Sequence, residues 1–404
     1  MTLLSFSYAV LVVAVFGLYW LLPWRMARAA LLVLATALWY VFGVWWHALA
    51  ALAMGTSAWA FGRWIGSRPP ERRGLPTALG IATCVGYFLF FRYAAQWSGF
   101  DPRDPASLPW WLPNPIWAPV GLSFLMFETI GYQADLYLGR LKKAASWWEH
   151  LVFTLYFPTR VIGPMRKLQR FVPQVGALAR PTPDLVARGL GRVGIGAFKK
   201  IVLANPLGTF ALFNLQPQVF ENASPLPSIV ALYAYWVYLY LDFSGYSDIV
   251  IGVSRLLGIE VQENFEHPYR ATNISDYWQR WHMSLSSWVR EYVYTPLAIR
   301  WRRQWWGGPA GAFLSMVVLG LWHGVELQYV AFGVWHGLLL GGYMIYRERT
   351  RKNALVKRLQ RSRLWGALGW AFVMNMAVWS PVFYATADWD VALRFLRSAA
   401  RLLG

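Results

Sequence analysis

Acidic residues and cysteine are the scarce elements of this 404-residue chain, with 19 Asp and Glu against 38 Lys and Arg, and a single cysteine, Cys84. One thiol excludes an internal disulfide framework and any cysteine-based metal centre within the chain. Charged residues of both signs make up only 14% and hydrophobic residues 57%, where an average soluble domain has about 25% and about 45–50%. That balance excludes an ordinary cytosolic enzyme, and it excludes intrinsic disorder, which needs low hydrophobicity. Gly (34) and Pro (23) are too few and too unperiodic for a collagen-like chain. What remains is a polytopic membrane protein. A net charge of +19 would suit nucleic acid, but a nucleic-acid binder gathers its Lys and Arg on a soluble face. Here they cluster in short loops between apolar runs, the pattern of membrane topology. Membrane lipids, and no nucleic acid, are the expected surroundings.

A spanning helix needs about 20 mostly apolar residues. The charge-free run Ala29 to Gly62 is long enough to bend into a hairpin or two tilted helices. Further runs are Leu75 to Phe91, Trp117 to Tyr132, Ile195 to Phe213, Ser228 to Leu257, Gly311 to Trp322, Val330 to Tyr346 and Leu364 to Tyr384. The apolar start, Met1 to Trp20, has no basic n-region and reads as an uncleaved first helix. About ten embedded helices are expected, some too short to span alone and therefore covered by protein. Arg63 to Arg73 and Arg347 to Arg363 are rich in Arg and Lys and should lie on the cytoplasmic side. Ala94 to Ile116 and Asn214 to Pro227 are poor in both and should face outside.

Four of the six histidines, His267, His282, His323 and His336, fall between Glu266 and Gly337. An ionisable residue inside a membrane is costly and by default marks a functional site. The stretch Asn264 to Leu297 is too polar to face lipid, and Trp278, Trp281, Leu285 and Trp288 recur at helical spacing. It predicts an amphipathic helix at or dipping into the membrane, with Ser275 as a possible N-cap and Arg280 and Arg290 at headgroup level. Beyond it, G-L-W-H-G at Gly320 to Gly324 is echoed by G-V-W-H-G at Gly333 to Gly337. A neutral imidazole in such a site can accept a hydroxyl proton as general base. Hydrogen-bonded helix glue is the competing role. Upstream, Y-L-Y-L-D-F-S-G-Y-S-D at Tyr238 to Asp248 puts Asp242 and Asp248 in an apolar run, where they should face the interior or hold an Arg near a helix break at Gly245. The histidine spacing contains no H-E-x-x-H pair, so no metal is expected, and neither a Walker A loop nor a G-x-S-x-G elbow is present. The nucleophile is then the substrate's own hydroxyl.

These motifs together resemble the membrane-bound O-acyltransferases, in the bacterial branch holding alginate O-acetylase and teichoic-acid D-alanyl transferase. The resemblance rests on G-L-S-F at Gly121, D-L-Y-L-G at Asp135, V-I-G-P-M-R at Val161, D-F-S-G-Y-S-D, E-N-F-E-H-P-Y, D-Y-W-Q-R-W-H-M-S-L-S and L-W-H-G, over a core of about residues 121–337. It implies one membrane-embedded, all-α acyltransferase domain over residues 1–404, a bundle with short, tilted and re-entrant helices around a central tunnel in a bacterial cytoplasmic membrane. It also implies His323 as catalytic histidine and His282 as the second residue of the site, and around them Asp242, Asp276, Trp278, Arg280, Trp281, Ser284 and Trp322 are expected to bind substrate. The implied donor is a cytoplasmic acyl thioester, acetyl-CoA or a phosphopantetheine carrier protein, with no tightly bound cofactor. The acceptor would be a hydroxyl of an exported polysaccharide or wall polymer, served by an extracytoplasmic acyl-transfer partner. Acetyl comes first and D-alanyl second. A non-enzymatic transporter is the alternative, and it would need paired repeats longer than the 13-residue G-x-W-H-G echo.

Overall fold

A computed structural model describes residues 5–41, 46–97, 121–216, 225–385 and 389–400. All regular structure among the described residues is helical. The chain divides into two compact units, residues 1–194 with 246–262, and residues 195–245 with 263–404.

In the first unit, α1 (Phe6–Leu21), α2 (Arg25–Val41), α3 (Trp46–Gly66), α4 (Gly74–Trp97) and α5 (Leu122–Tyr137) follow the apolar runs. The charge-free stretch forms two helices, α2 and α3, as expected; residues 42–45 lie outside the described residues. Close approach is built in: a Cβ on Gly62 would stand 2.3 Å from the Tyr132 ring. Next come α6 (Trp147–Thr154), the short α7 (Leu168–Phe171) and α8 (Pro183–Ala197), whose end, from Ile195, belongs to the second unit. The N-terminus of α6 is fixed by a capping box in which Ser146 and Glu149 satisfy each other's backbone N–H. At the unit's centre the Glu128 carboxylate accepts bonds from Arg160 Nη2 (2.9 Å) and from Nε and Nη2 of Arg166 (both 3.0 Å), with all three side chains buried. The Arg166 guanidinium also lies 4.4 Å from the Phe171 ring centroid and 4.9 Å from that of Tyr156, so aromatic faces share its charge.

In the second unit a π-helical turn, Phe198–Ala204, leads into α9 (Asn205–Asn214). After it comes α10 (Pro225–Leu256), whose last residues, from Tyr246, belong to the first unit. Two short helices follow, α11 (Ile274–Arg280) and α12 (Met283–Val289), then a π turn at Arg290–Tyr294 and α13 (Thr295–Arg300). An antiparallel hairpin of α14 (Gly307–His323) and α15 (Leu327–Thr350) precedes α16 (Ala354–Gln360), α17 (Arg363–Trp379), α18 (Val382–Ala385) and α19 (Trp389–Ala400). Trp236, Ile274, Tyr277, Val373, Val378 and Phe395 share this unit's core.

Among the described residues, Gly74–Tyr93 and Leu226–Leu256 are long and apolar enough to cross a membrane on their own. Most of the two stretches expected to face outside falls at residues 98–120 and 217–224, outside the described residues.

Three expectations are corrected. The Asn264–Leu297 stretch is not one amphipathic helix, because the chain breaks at Trp281 and His282, and His282 takes left-handed backbone (φ 42°). The N-cap of α11 is Asn273, not Ser275, with its side chain accepting from the Asp276 N–H. Finally, α10 runs unbroken through Gly245. There the glycine permits close packing instead, since a Cβ would stand 2.8 Å from the carbonyl oxygen of Gly196.

Candidate active site

The second unit gathers three histidines. His323 is the last residue of α14, and Gly324 ends that helix in extended backbone. A Cβ on Gly324 would meet the Tyr329 ring at 2.2 Å and the Glu326 carboxylate at 2.4 Å, so a glycine is needed for the chain to turn that tightly after His323. The imidazole lies among Trp322 (4.5 Å between ring centroids), Phe332 (5.5 Å, edge-on) and Tyr329 (6.4 Å, stacked).

The G-x-W-H-G echo is a contact between helices. Gly320 on α14 meets Gly333 on α15, where a Cβ on Gly320 would stand 3.0 Å from the Gly333 Cα. With Gly337 and Gly341 one and two turns further along α15, the hairpin has a small-residue seam that lets the two backbones approach. His336 rides beside this seam, 1% exposed, with its ring centroid 4.7 Å from Phe332 and 5.1 Å from Trp278. Phe332 thus touches both His323 and His336.

His282 reaches the same neighbourhood from the break between α11 and α12. It is 6% exposed, edge-on to Phe243 at 4.7 Å, and within electrostatic range of His323. The segment before α11 clamps the break by backbone pairing, Met283 N–H to the Asn264 carbonyl (2.8 Å) and Glu266 N–H to the Arg280 carbonyl (3.0 Å). Asn264, wholly buried, has its side-chain oxygen 3.1 Å from His282 Nδ1 and accepts from the Ser284 backbone N–H (3.2 Å) and hydroxyl (2.8 Å). His282 sits in a break between seven-residue helices too short to span, and burial pulls its imidazole down from the usual value to about 3.

Beside the histidines lies a cavity of about 580 Å³ bounded by α11, α12, α14 and α15. Met283, Met316, Leu319, Leu340 and Met344 give it apolar walls, and the exposed Arg290, Arg347 and Glu348 form its charged rim. Trp278 is the partition: it lines the cavity and packs on His336. Leu319 lies one helical turn before His323 on α14.

The residues expected to bind substrate fall into two sets. Trp278 and Trp322 touch His336 and His323 respectively. Trp281 is stacked on Tyr277 and Trp236, inside the aromatic core. The Ser284 hydroxyl holds Asn264. Asp276 is paired with Arg280 one turn on (2.7 Å), and Arg280 also donates to the Glu266 carbonyl. Asp242 is paired with Lys200 of the π turn. The second acid of that motif, Asp248, pairs with Arg192 at 2.6 Å within the first unit. Sequence reasoning missed Asn264 as a partner of His282, and missed Arg347 as part of a cavity rim. The quoted E-N-F and the basic cluster at Arg347 were the available signals.

The model of the membrane-bound O-acyltransferase family matches residues 140–386. Among curated proteins, "Probable alginate O-acetylase AlgI" of Pseudomonas putida is 31% identical over 78% of this chain and 64% of its own length. Its namesake in Azotobacter vinelandii is 31% identical over 94% of this chain and 73% of its own length. The teichoic acid D-alanyltransferase of Bacillus subtilis is 32% identical over 58% of this chain and 60% of its own length. The chain thus spans a little under two thirds of the Pseudomonas putida relative's length. The family match covers more than half of the chain and takes in the three histidines, both G-x-W-H-G segments and the cavity walls. This chain belongs to the membrane-bound O-acyltransferase family.

Proposed function

We propose that this protein transfers a short acyl group, acetyl in the first instance, from a cytoplasmic thioester to hydroxyls of an exported polysaccharide or wall polymer. The observation that carries the reading is the pair His323 and His336, both against Phe332, beside a cavity with apolar walls and an arginine rim, with His282 buried at the break between the two helices that bound it. Such a cavity suits a pantetheine arm. The donor's phosphate groups would sit at Arg290 and Arg347 while the arm extends past Met344 and Met316 toward Trp278. Free acetyl-CoA and a carrier-protein thioester share that arm, so both are substrates to test, and no tightly bound cofactor is invoked.

In the proposed step His323 accepts the proton of the acceptor hydroxyl as its oxygen attacks the acyl carbonyl. The carbon–sulfur bond breaks, and the imidazolium returns the proton to the departing thiolate. Trp278 and Trp322 shape the path. The setting is a multi-pass protein of the bacterial inner membrane, with the basic 347–363 segment on the cytoplasmic side. An extracytoplasmic partner would carry the acyl group onward to the polymer, and alginate and teichoic acid, in the names of the relatives, are the polymer classes to try first.

Purified protein in nanodiscs, given labelled acetyl-CoA or a labelled D-alanyl carrier thioester with envelope extract as acceptor, tests the reading. Label leaving one donor for the polymer identifies the acyl group. No transfer from either donor by folded protein, with the extracytoplasmic partner present in the extract, would overturn the reading in favour of transport.

A further inference from the structure

The hydrogen bonds around Asn264 decide which nitrogen of His282 carries the proton. The Asn264 side-chain atom 3.2 Å from the Ser284 N–H must be oxygen, because a backbone N–H needs an acceptor. The Ser284 hydroxyl points to the same atom at 2.8 Å. His282 Nδ1, 3.1 Å from that oxygen, must therefore be a donor. In a neutral imidazole this leaves the lone pair on Nε2. The surroundings hold the arrangement in place: the Asn264–Met283 and Glu266–Arg280 backbone pairings fix the two residues relative to each other, and the buried ring packs edge-on against Phe243.

We infer that Asn264 is a positioning residue that locks His282 as its Nδ1–H tautomer, so that Nε2 is presented as a proton acceptor within the histidine cluster. The inference deepens the acyl-transfer reading and rests on it for its kinetic consequence, but the tautomer is a property of the resting protein. His282 is then suited to accept from a proton donor, either the acceptor hydroxyl or a ring N–H of His323, and unsuited to donate to an oxyanion. Around His282, α14 presents His323, α10 presents Phe243 and the extended segment presents Asn264. Of these, His323 alone titrates.

The test is ¹⁵N spectroscopy of selectively histidine-labelled protein in nanodiscs, with His282→Gln identifying the signal, alongside the pH–rate profile of two variants. In the wild type the His282 signal should show a protonated Nδ1 and a bare Nε2. Asn264→Asp keeps an acceptor but adds charge. It should retain the tautomer and move the acid limb of kcat/KM upward by about one pH unit or more, since an anion beside the ring favours imidazolium. Asn264→Leu removes the acceptor and should release the tautomer, lowering kcat by about tenfold or more with little change in KM. A protonated Nε2 in the wild type would overturn the inference, as would an Asn264→Leu enzyme with unchanged tautomer and kcat. If Asn264→Leu does not fold, the wild-type spectrum and the Asn264→Asp profile still decide. The spectrum needs no substrate, so a failed tautomer assignment and a failed acyl-transfer reading give different results.

Discussion

In the first unit Glu128 is gripped by Arg160 and Arg166 at 2.9 and 3.0 Å, and in the second His282, His336 and Asn264 are buried to a similar depth without a formal ion pair among them. The two kinds of buried polarity have different consequences. The Arg–Glu–Arg cluster holds two guanidiniums on one carboxylate, with aromatic faces around the extra positive charge, and removing one partner strands the others in a poorly solvated interior. An imidazole beside a carboxamide can take up a proton on its other nitrogen without an ion pair being broken, which is what a proton-transfer step needs. On the proposed reading the first cluster serves the fold and the second serves proton transfer. The charges of the second unit's cavity are kept at its exposed rim, at Arg290, Arg347 and Glu348.

Substitutions can break or sharpen that contrast. The largest effect is expected at His323: replacing it with Ala should lower transfer by about 10²–10⁴-fold, the usual weight of a general base, with the thermal midpoint near wild type. Glu128→Ala should act through stability instead. It should cost about 3–5 kcal/mol, as breaking buried pairs does, and activity should fall only in step with the folded fraction measured in a thermal melt. A smaller change is expected from Gly333→Val, which pushes a side chain against the Met316 carbonyl, where a Cβ would already stand 2.7 Å away. Overpacking of this kind costs about 1–3 kcal/mol. Because the seam carries His336, kcat should drop as well as the midpoint, and a change in the midpoint alone would uncouple the seam from the site. At the cavity rim Arg347→Ala should raise the KM for a phosphate-bearing donor several-fold at low salt and leave kcat unchanged, the loss shrinking as salt rises. The exposed Asp184–Arg188 pair is the control, and Arg188→Ala should change neither midpoint nor rate.

Much of the helical layout was legible because spanning helices are written as uninterrupted apolar runs. The run from Ala29 to Gly62 gave α2 and α3, and Leu75 to Phe91 lies within α4. The break at His282 was not legible, since the Trp278, Trp281, Leu285, Trp288 spacing continues at helical period across it. What breaks the helix is tertiary: the Asn264 and Glu266 backbone takes up groups that a continuous helix would have paired internally. For the same reason Asn264 escaped notice, lying 18 residues from the imidazole it holds. The Arg160–Glu128–Arg166 cluster joins residues 32 and 38 apart, and no local pattern signals such pairing. The histidines clustered in the sequence include two, His323 and His336, that share Phe332 in the structure, and the echo of G-x-W-H-G proved to be two helices meeting glycine to glycine at Gly320 and Gly333.

The most direct test of the division between structural and chemical polarity is to measure acyl transfer and thermal midpoint on the same nanodisc preparations of wild type and His323→Ala, with labelled thioester donor and polymer acceptor. Equal midpoints are expected, with transfer by the variant lowered about 10²–10⁴-fold. Transfer by His323→Ala at the wild-type rate would contradict it.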